Sequence, residues 1–144
     1  MAEALTLAGA APRHGDVPIG ALAIYRGRVL AARHNERERS GDPTAHAEVL
    51  VLRDAAAHLG TWRLDEVTII STLEPCPMCA GAMIAARVRR CVFGAYDPKA
   101  GALASLYGLG SDLRLNHELE VRGGVLAEPC GQLLSDFFAS RRSL

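Results

Sequence analysis

Two thiols three positions apart, Cys76 and Cys79 in TLEPCPMCAGAMI (71–83), are the residues of this chain best suited to gripping something. At that spacing they can close a disulfide, cycle as a redox couple, join a four-ligand structural metal site, or supply two ligands of an open catalytic one. If Cys76 caps a helix and Cys79 takes its third position, both sulfurs converge on the helix N-terminus. The free N–H groups and the dipole there favour thiolates. Pro77 suits the first helical position, where its missing N–H would have had no partner. A thioredoxin-like arrangement carries CxxC after its first buried strand, whereas two strands and a helix precede it here. A closed metal site needs a fourth protein ligand, but Cys91 and Cys130 stand in VRRCVFGA and EPCGQLL and read as small core residues.

The third ligand is better sought in DPTAHAEVL, another helix start, where His46 is followed two positions later by Glu48. On an ideal helix two such side chains diverge by about 200°. They share a site only if it lies off the helix end. His46, Cys76 and Cys79 then hold a metal and leave the fourth tetrahedral position to water, the catalytic pattern for zinc. Zinc draws the pKa of that water towards about 7, and Glu48 is the natural proton shuttle.

Those residues need a fold that brings two helix tips together. DVPIGALAIYRGRVLAARHNE reads as a hairpin, with strands near 17–25 and 28–34 about a turn at Gly27. Asp42 and Thr44 are N-cap candidates for a helix through HAEVLVLRDAAAHLG, stopped by Gly60. VTIISTL is a buried strand, PMCAGAMIAARV a helix and RRCVFGAY a strand, the two strands parallel because a helix links them. Residues 97–118 read as irregular, LEVRGGVL as a last strand and EPCGQLLSDFFASRR as a terminal amphipathic helix. The expected fold is one α/β domain over 1–144, a mixed sheet with helices on both faces.

With 144 residues, 49% hydrophobic and 22% charged, the chain can bury a sizeable core. No apolar run reaches the roughly 18 residues of a membrane helix. The N-terminal MAEALTLAGAAP lacks the basic start of a secretory signal and carries Glu3, so it reads as an amphipathic helix of a cytoplasmic protein. Four cysteines in such a setting do not suggest a disulfide framework. Net charge is zero, yet every basic residue but Lys99 is arginine, which favours bidentate and stacked contacts over diffuse attraction.

The segments DVPIGA, HNE, DPTAHAE, TLEPCPMCAGAMI, VFGAYDPKAGA, NHELEV, GVLAEPC and LLSDFF, in this order, closely resemble those of the bacterial tRNA-specific adenosine deaminases. These belong to the zinc-dependent, cytidine-deaminase-like superfamily marked by H-x-E and P-C-x-x-C. The resemblance implies a three-layer α/β/α fold with a central mixed sheet of about five strands, a homodimer, and one Zn2+ per subunit on His46, Cys76 and Cys79. It further implies hydrolysis of the wobble adenosine of an arginine tRNA anticodon to inosine, with Glu48 moving the protons. By the same resemblance Asn35 lies in the adenosine pocket, with Ile19 as an apolar wall. Asp97 is expected to accept from a 2′-hydroxyl beside the flipped adenosine, and Lys99, Phe137, Phe138, Arg141 and Arg142 to meet the anticodon stem-loop. Two rivals stand beside this reading: a deaminase of a free base or nucleoside (guanine, cytosine or cytidine), and a non-catalytic zinc-stabilised RNA-binding module.

Overall fold

A computed structural model describes residues 1–142. Five strands, β1 (Gly20–Tyr25), β2 (Arg28–His34), β3 (Val67–Leu73), β4 (Arg90–Ala95) and β5 (Glu120–Arg122), form one sheet in the order β2-β1-β3-β4-β5. β1 runs antiparallel to β2 and β3, while β3, β4 and β5 are parallel. The hairpin closes through Arg26 and Gly27, both at positive φ, which matches the right-handed twist of its strands.

Helices α1 (Ala2–Ala8) and α5 (Ala127–Arg142) cover one face of the sheet. Helices α3 (Ala47–Leu59) and α4 (Pro77–Ala85) cover the other, and α2 (Arg37–Ser40) is a single turn between β2 and α3. This is the expected α/β/α arrangement. Among the described residues no helix is long and apolar enough to cross a membrane. Val67 and Ile69 of β3, Val51 and Ala55 of α3, Met83 of α4 and Phe93 of β4 form a fully buried centre between the sheet and the α3–α4 layer. Cys91 is buried in that core, and Cys130 of α5 packs over Gly94 of β4, so both are core residues.

Three local expectations are corrected. Strand β1 starts at Gly20 rather than near 17, because Val17–Ile19 fold into a tight turn in which the Ile19 N–H donates to the Val17 carbonyl at 2.8 Å. Helix α3 starts at Ala47 with His46 as its N-cap, and neither Asp42 nor Thr44 caps it. Asp42 Oδ1 instead accepts from the Thr44 N–H and hydroxyl, both at 2.8 Å, holding an Asx turn across Pro43. The short helix α2 was not expected. Its first N–H groups are satisfied from afar by buried Asp16, which accepts from Glu38 N at 2.9 Å and Arg39 N at 3.2 Å.

Candidate metal centre and active site

Helices α3 and α4 point their N-termini at one another, and every donor of the site sits on those tips. His46 has an extended backbone (φ −71°, ψ 146°), which throws its imidazole past the end of α3. Cys76 is the N-cap of α4 (φ −74°, ψ 173°), with Pro77 at the first position and Cys79 at the third. His46 Nδ1 lies 3.4 Å from Cys79 Sγ and 3.7 Å from Cys76 Sγ. A tetrahedron with metal–sulfur and metal–nitrogen bonds of zinc length has donor–donor edges of about 3.6 Å. The three atoms are therefore spaced to share one ion, and two thiolates with an imidazole are the donors a tetrahedral d10 ion takes. All four cysteines are free, which removes the disulfide alternative.

The electrostatics prepare the sulfurs. The Cys79 thiol donates to Cys76 and, against the opposing effect of burial, holds Cys76 down at about 4, with His46 assisting. The same contact, with burial, pushes the Cys79 thiol up. The Cys76 charge in turn raises His46 through their hydrogen bond. These contacts favour the thiolate of Cys76, the form that binds metal.

Glu48, at the second position of α3, is 4% exposed, and its Oε1 has no hydrogen-bond partner. Burial pushes its carboxyl above the usual range. A buried carboxylate oxygen without a partner can accept from a group that enters the site.

Asn35 and Ile19 come to the same place. Asn35 Oδ1 accepts from Ala47 N at 2.9 Å, satisfying the first free N–H of α3, and its own N–H donates to the Ile19 carbonyl at 3.0 Å. Asn35 thereby locks the end of β2 to the helix tip that carries His46 and Glu48. Its amide NH2 has no acceptor among the described residues.

Asp97 and Phe138 lie elsewhere. With Lys99, Leu73 and Arg142 they line a cavity of about 610 Å³ between the loop after β4 and helix α5. Asp97 Oδ1 accepts from the N–H groups of Lys99 and Ala100, at 3.0 and 3.2 Å. Phe138 is 45% exposed, whereas Phe137 turns inward and is covered by the Arg141 guanidinium, which donates to the Gly15 carbonyl at 2.7 Å. Glu74 was missed in the sequence. It is 1% exposed and its carboxylate gathers five donors. Burial alone would raise it, but those hydrogen bonds, led by Ser105, hold it low. A charged residue closing the apolar run VTIISTL, directly before Pro-Cys, was the available signal.

The MafB19-like deaminase family model matches residues 1–142. A tRNA-specific adenosine deaminase from Bacillus subtilis is 49% identical over 99% of this chain and 88% of its own. A solved structure from work on A-to-I editing by tRNA:A34 deaminases at the wobble position of transfer RNA superposes with a TM-score of 0.87, at 40% identity over 91% of this chain and 95% of that one. A guanine deaminase from Nitrosomonas europaea shares the fold (TM-score 0.82) at 27% identity, over 96% of this chain and 82% of its own. With the two helix tips, the three gathered donors and the buried Glu48 carboxylate already in place, this likeness over nearly the whole length shows that the chain belongs to the tRNA-specific adenosine deaminase family, within the MafB19-like deaminases.

Proposed function

We propose that this chain hydrolyses adenosine to inosine at the wobble position of a tRNA anticodon, in the cytoplasm, with His46, Cys76 and Cys79 holding one zinc ion. The observation that carries the reading is the unpartnered Glu48 Oε1 beside three donors spaced for one ion. A purely structural site has no use for such a carboxylate. Bound there, zinc supplies the Lewis acidity that lets a water molecule give up a proton near neutral pH. Glu48 takes that proton at Oε1 and passes it to N1 of the adenine as the water oxygen bonds to C6. It then moves the remaining water proton to the amino group, so that the C6–N bond breaks and ammonia leaves. A carboxyl raised by burial is suited to both directions of transfer. The Asn35 NH2 would offer a donor to the nucleoside, and Ile19, whose carbonyl accepts from the Asn35 backbone N–H, would supply an apolar wall.

The cavity of Asp97, Lys99, Phe138 and Arg142 takes the neighbouring nucleotides: a stacking face, two cations, and a carboxylate whose Oδ1 is occupied by its own turn. Asp97 then accepts from a ribose 2′-hydroxyl, the group that separates RNA from DNA. Asp97→Asn should lower the RNA/DNA rate ratio on hairpins of equal sequence; an unchanged ratio removes Asp97 from that role. The chain is further proposed to act as a homodimer. The apolar groove of about 430 Å³ between α3 and α4, beside the 61% exposed Trp62, is the face a second copy would cover, and sedimentation of the intact chain should read twice the chain mass.

The deciding experiment offers the zinc-loaded protein an arginine tRNA anticodon stem-loop, free adenosine, guanine and cytidine. Inosine on the stem-loop alone supports the proposal. Deamination of guanine or cytidine, with a silent stem-loop, establishes the free-base rival instead.

A further inference from the structure

Glu74 has no part in the proton transfers, yet it is the most heavily hydrogen-bonded side chain among the described residues. It follows β3 directly and precedes Pro75 and Cys76. Its Oε1 accepts from the Asp97 N–H at 3.0 Å and from the Ser105 hydroxyl. Its Oε2 accepts from the N–H groups of Leu103, Ala104 and Ser105 at 3.2, 2.8 and 2.9 Å. Five donors saturate a carboxylate with about four lone-pair sites. The loop is wound so closely on it that a Cβ at Gly101 would fall 2.3 Å from the carboxyl carbon. The next peptide adds a further tie, because the Pro75 carbonyl accepts from Ala102 N at 2.9 Å. The segment that carries Cys76 is therefore also the anchor of loop 97–105, and that loop supplies the Asp97, Pro98 and Lys99 wall of the cavity.

We propose that Glu74 is a positioning residue for the polynucleotide: it fixes the Asp97–Lys99 wall relative to Cys76, so that the nucleotide beside the reacting adenosine is seated in register with the site. This rests on the deaminase reading above. Glutamine at position 74 can keep its oxygen towards Leu103, Ala104 and Ser105 and turn its NH2 to the other side, where the Ser105 hydroxyl can rotate to accept. The Asp97 N–H is then left facing a donor. Glu74→Gln thus breaks the link to the Asp97 end while keeping the link to 103–105.

The test measures Glu74→Gln and wild type, both zinc-loaded, on an anticodon stem-loop and on one whose nucleotides flanking the adenosine are replaced by abasic 2′-deoxy spacers, which carry neither base nor 2′-hydroxyl. The expected result is a KM raised about tenfold on the intact stem-loop, the loss of one charge-assisted hydrogen bond. On the abasic stem-loop KM should change less than about twofold, with kcat and zinc content little altered on either. Ser105→Ala, which removes one donor and reverses none, should shift KM the same way by less. The proposal is overturned if the Glu74→Gln penalty is equal on both stem-loops, if it lies in kcat, or if it follows zinc loss. If Glu74→Gln does not fold, an unchanged KM in Ser105→Ala overturns it. A wild type that forms no inosine on the stem-loop overturns the deaminase reading beneath it, which is a different result from an active wild type whose variant behaves identically.

Discussion

Glu48→Gln should keep its zinc and lose inosine formation by a factor of about 100 to 10,000, the range of general acid–base catalysis. Glutamine has nearly the shape of glutamate and can fill the same buried position on α3. It cannot take a proton from water and hand it to N1, and that is the only property the substitution removes. The fold should not suffer. In the wild type Glu48 is buried with one oxygen unpartnered and its carboxyl raised by desolvation, so the neutral amide relieves a cost rather than adding one. The expected triad of measurements is metal content unchanged, Tm equal to or above wild type, and kcat on the stem-loop down at least about a hundredfold. A variant that retains zinc and deaminates at the wild-type rate would leave Glu48 without a catalytic role.

Much of this site is legible in the sequence because its signals are local. Pro77 between Cys76 and Met78 marks a helix start, and CxxC across that start puts both sulfurs on the tip, where the structure has them. The spacing of His46 and Glu48 demands a pocket off a helix end, and the N-cap conformation of His46 provides one. What the sequence hides is long-range. Asp42 resembles a helix cap, but with Pro43 next to it the side chain turns back on Thr44, which delays α3 until Ala47 and leaves His46 at the cap. The cap that Asp42 does not supply comes from Asn35, twelve residues away. Glu74 is the clearest case. Its partners lie 23 to 31 residues downstream, in a segment with no periodicity, so nothing near Glu74 announces the five donors that hold it. The irregular stretch after β4 is held by that side chain together with its own turns, in which the Asp97 carboxylate and carbonyl accept from Lys99, Ala100 and Gly101, rather than by any repeating backbone pattern.

Serine at either Cys76 or Cys79 should abolish zinc binding and with it activity, by about a thousandfold or more, since Lewis-acid assistance is worth several kcal/mol. A hydroxyl stays protonated where a thiol beside another thiol and an imidazole gives up its proton, as Cys76 does at about 4. Chelation of the wild type should reproduce the same loss, and added zinc should restore the chelated wild type but neither variant. The fold should survive in each case. Zinc-finger peptides unfold without metal because nothing else gathers their ligands. Here His46, Cys76 and Cys79 are held by two helix tips packed on a five-stranded sheet, so chelation should lower Tm without unfolding the chain at room temperature. The contrast that isolates the site is Cys130→Ala. Cys130 is as hidden from solvent as Cys79 but sits over Gly94 on the opposite face of the sheet, so its loss should loosen packing while zinc content and kcat stay at wild-type values. Retention of zinc by Cys79→Ser, or its loss from Cys130→Ala, would mean that the ion is held by some other set of donors.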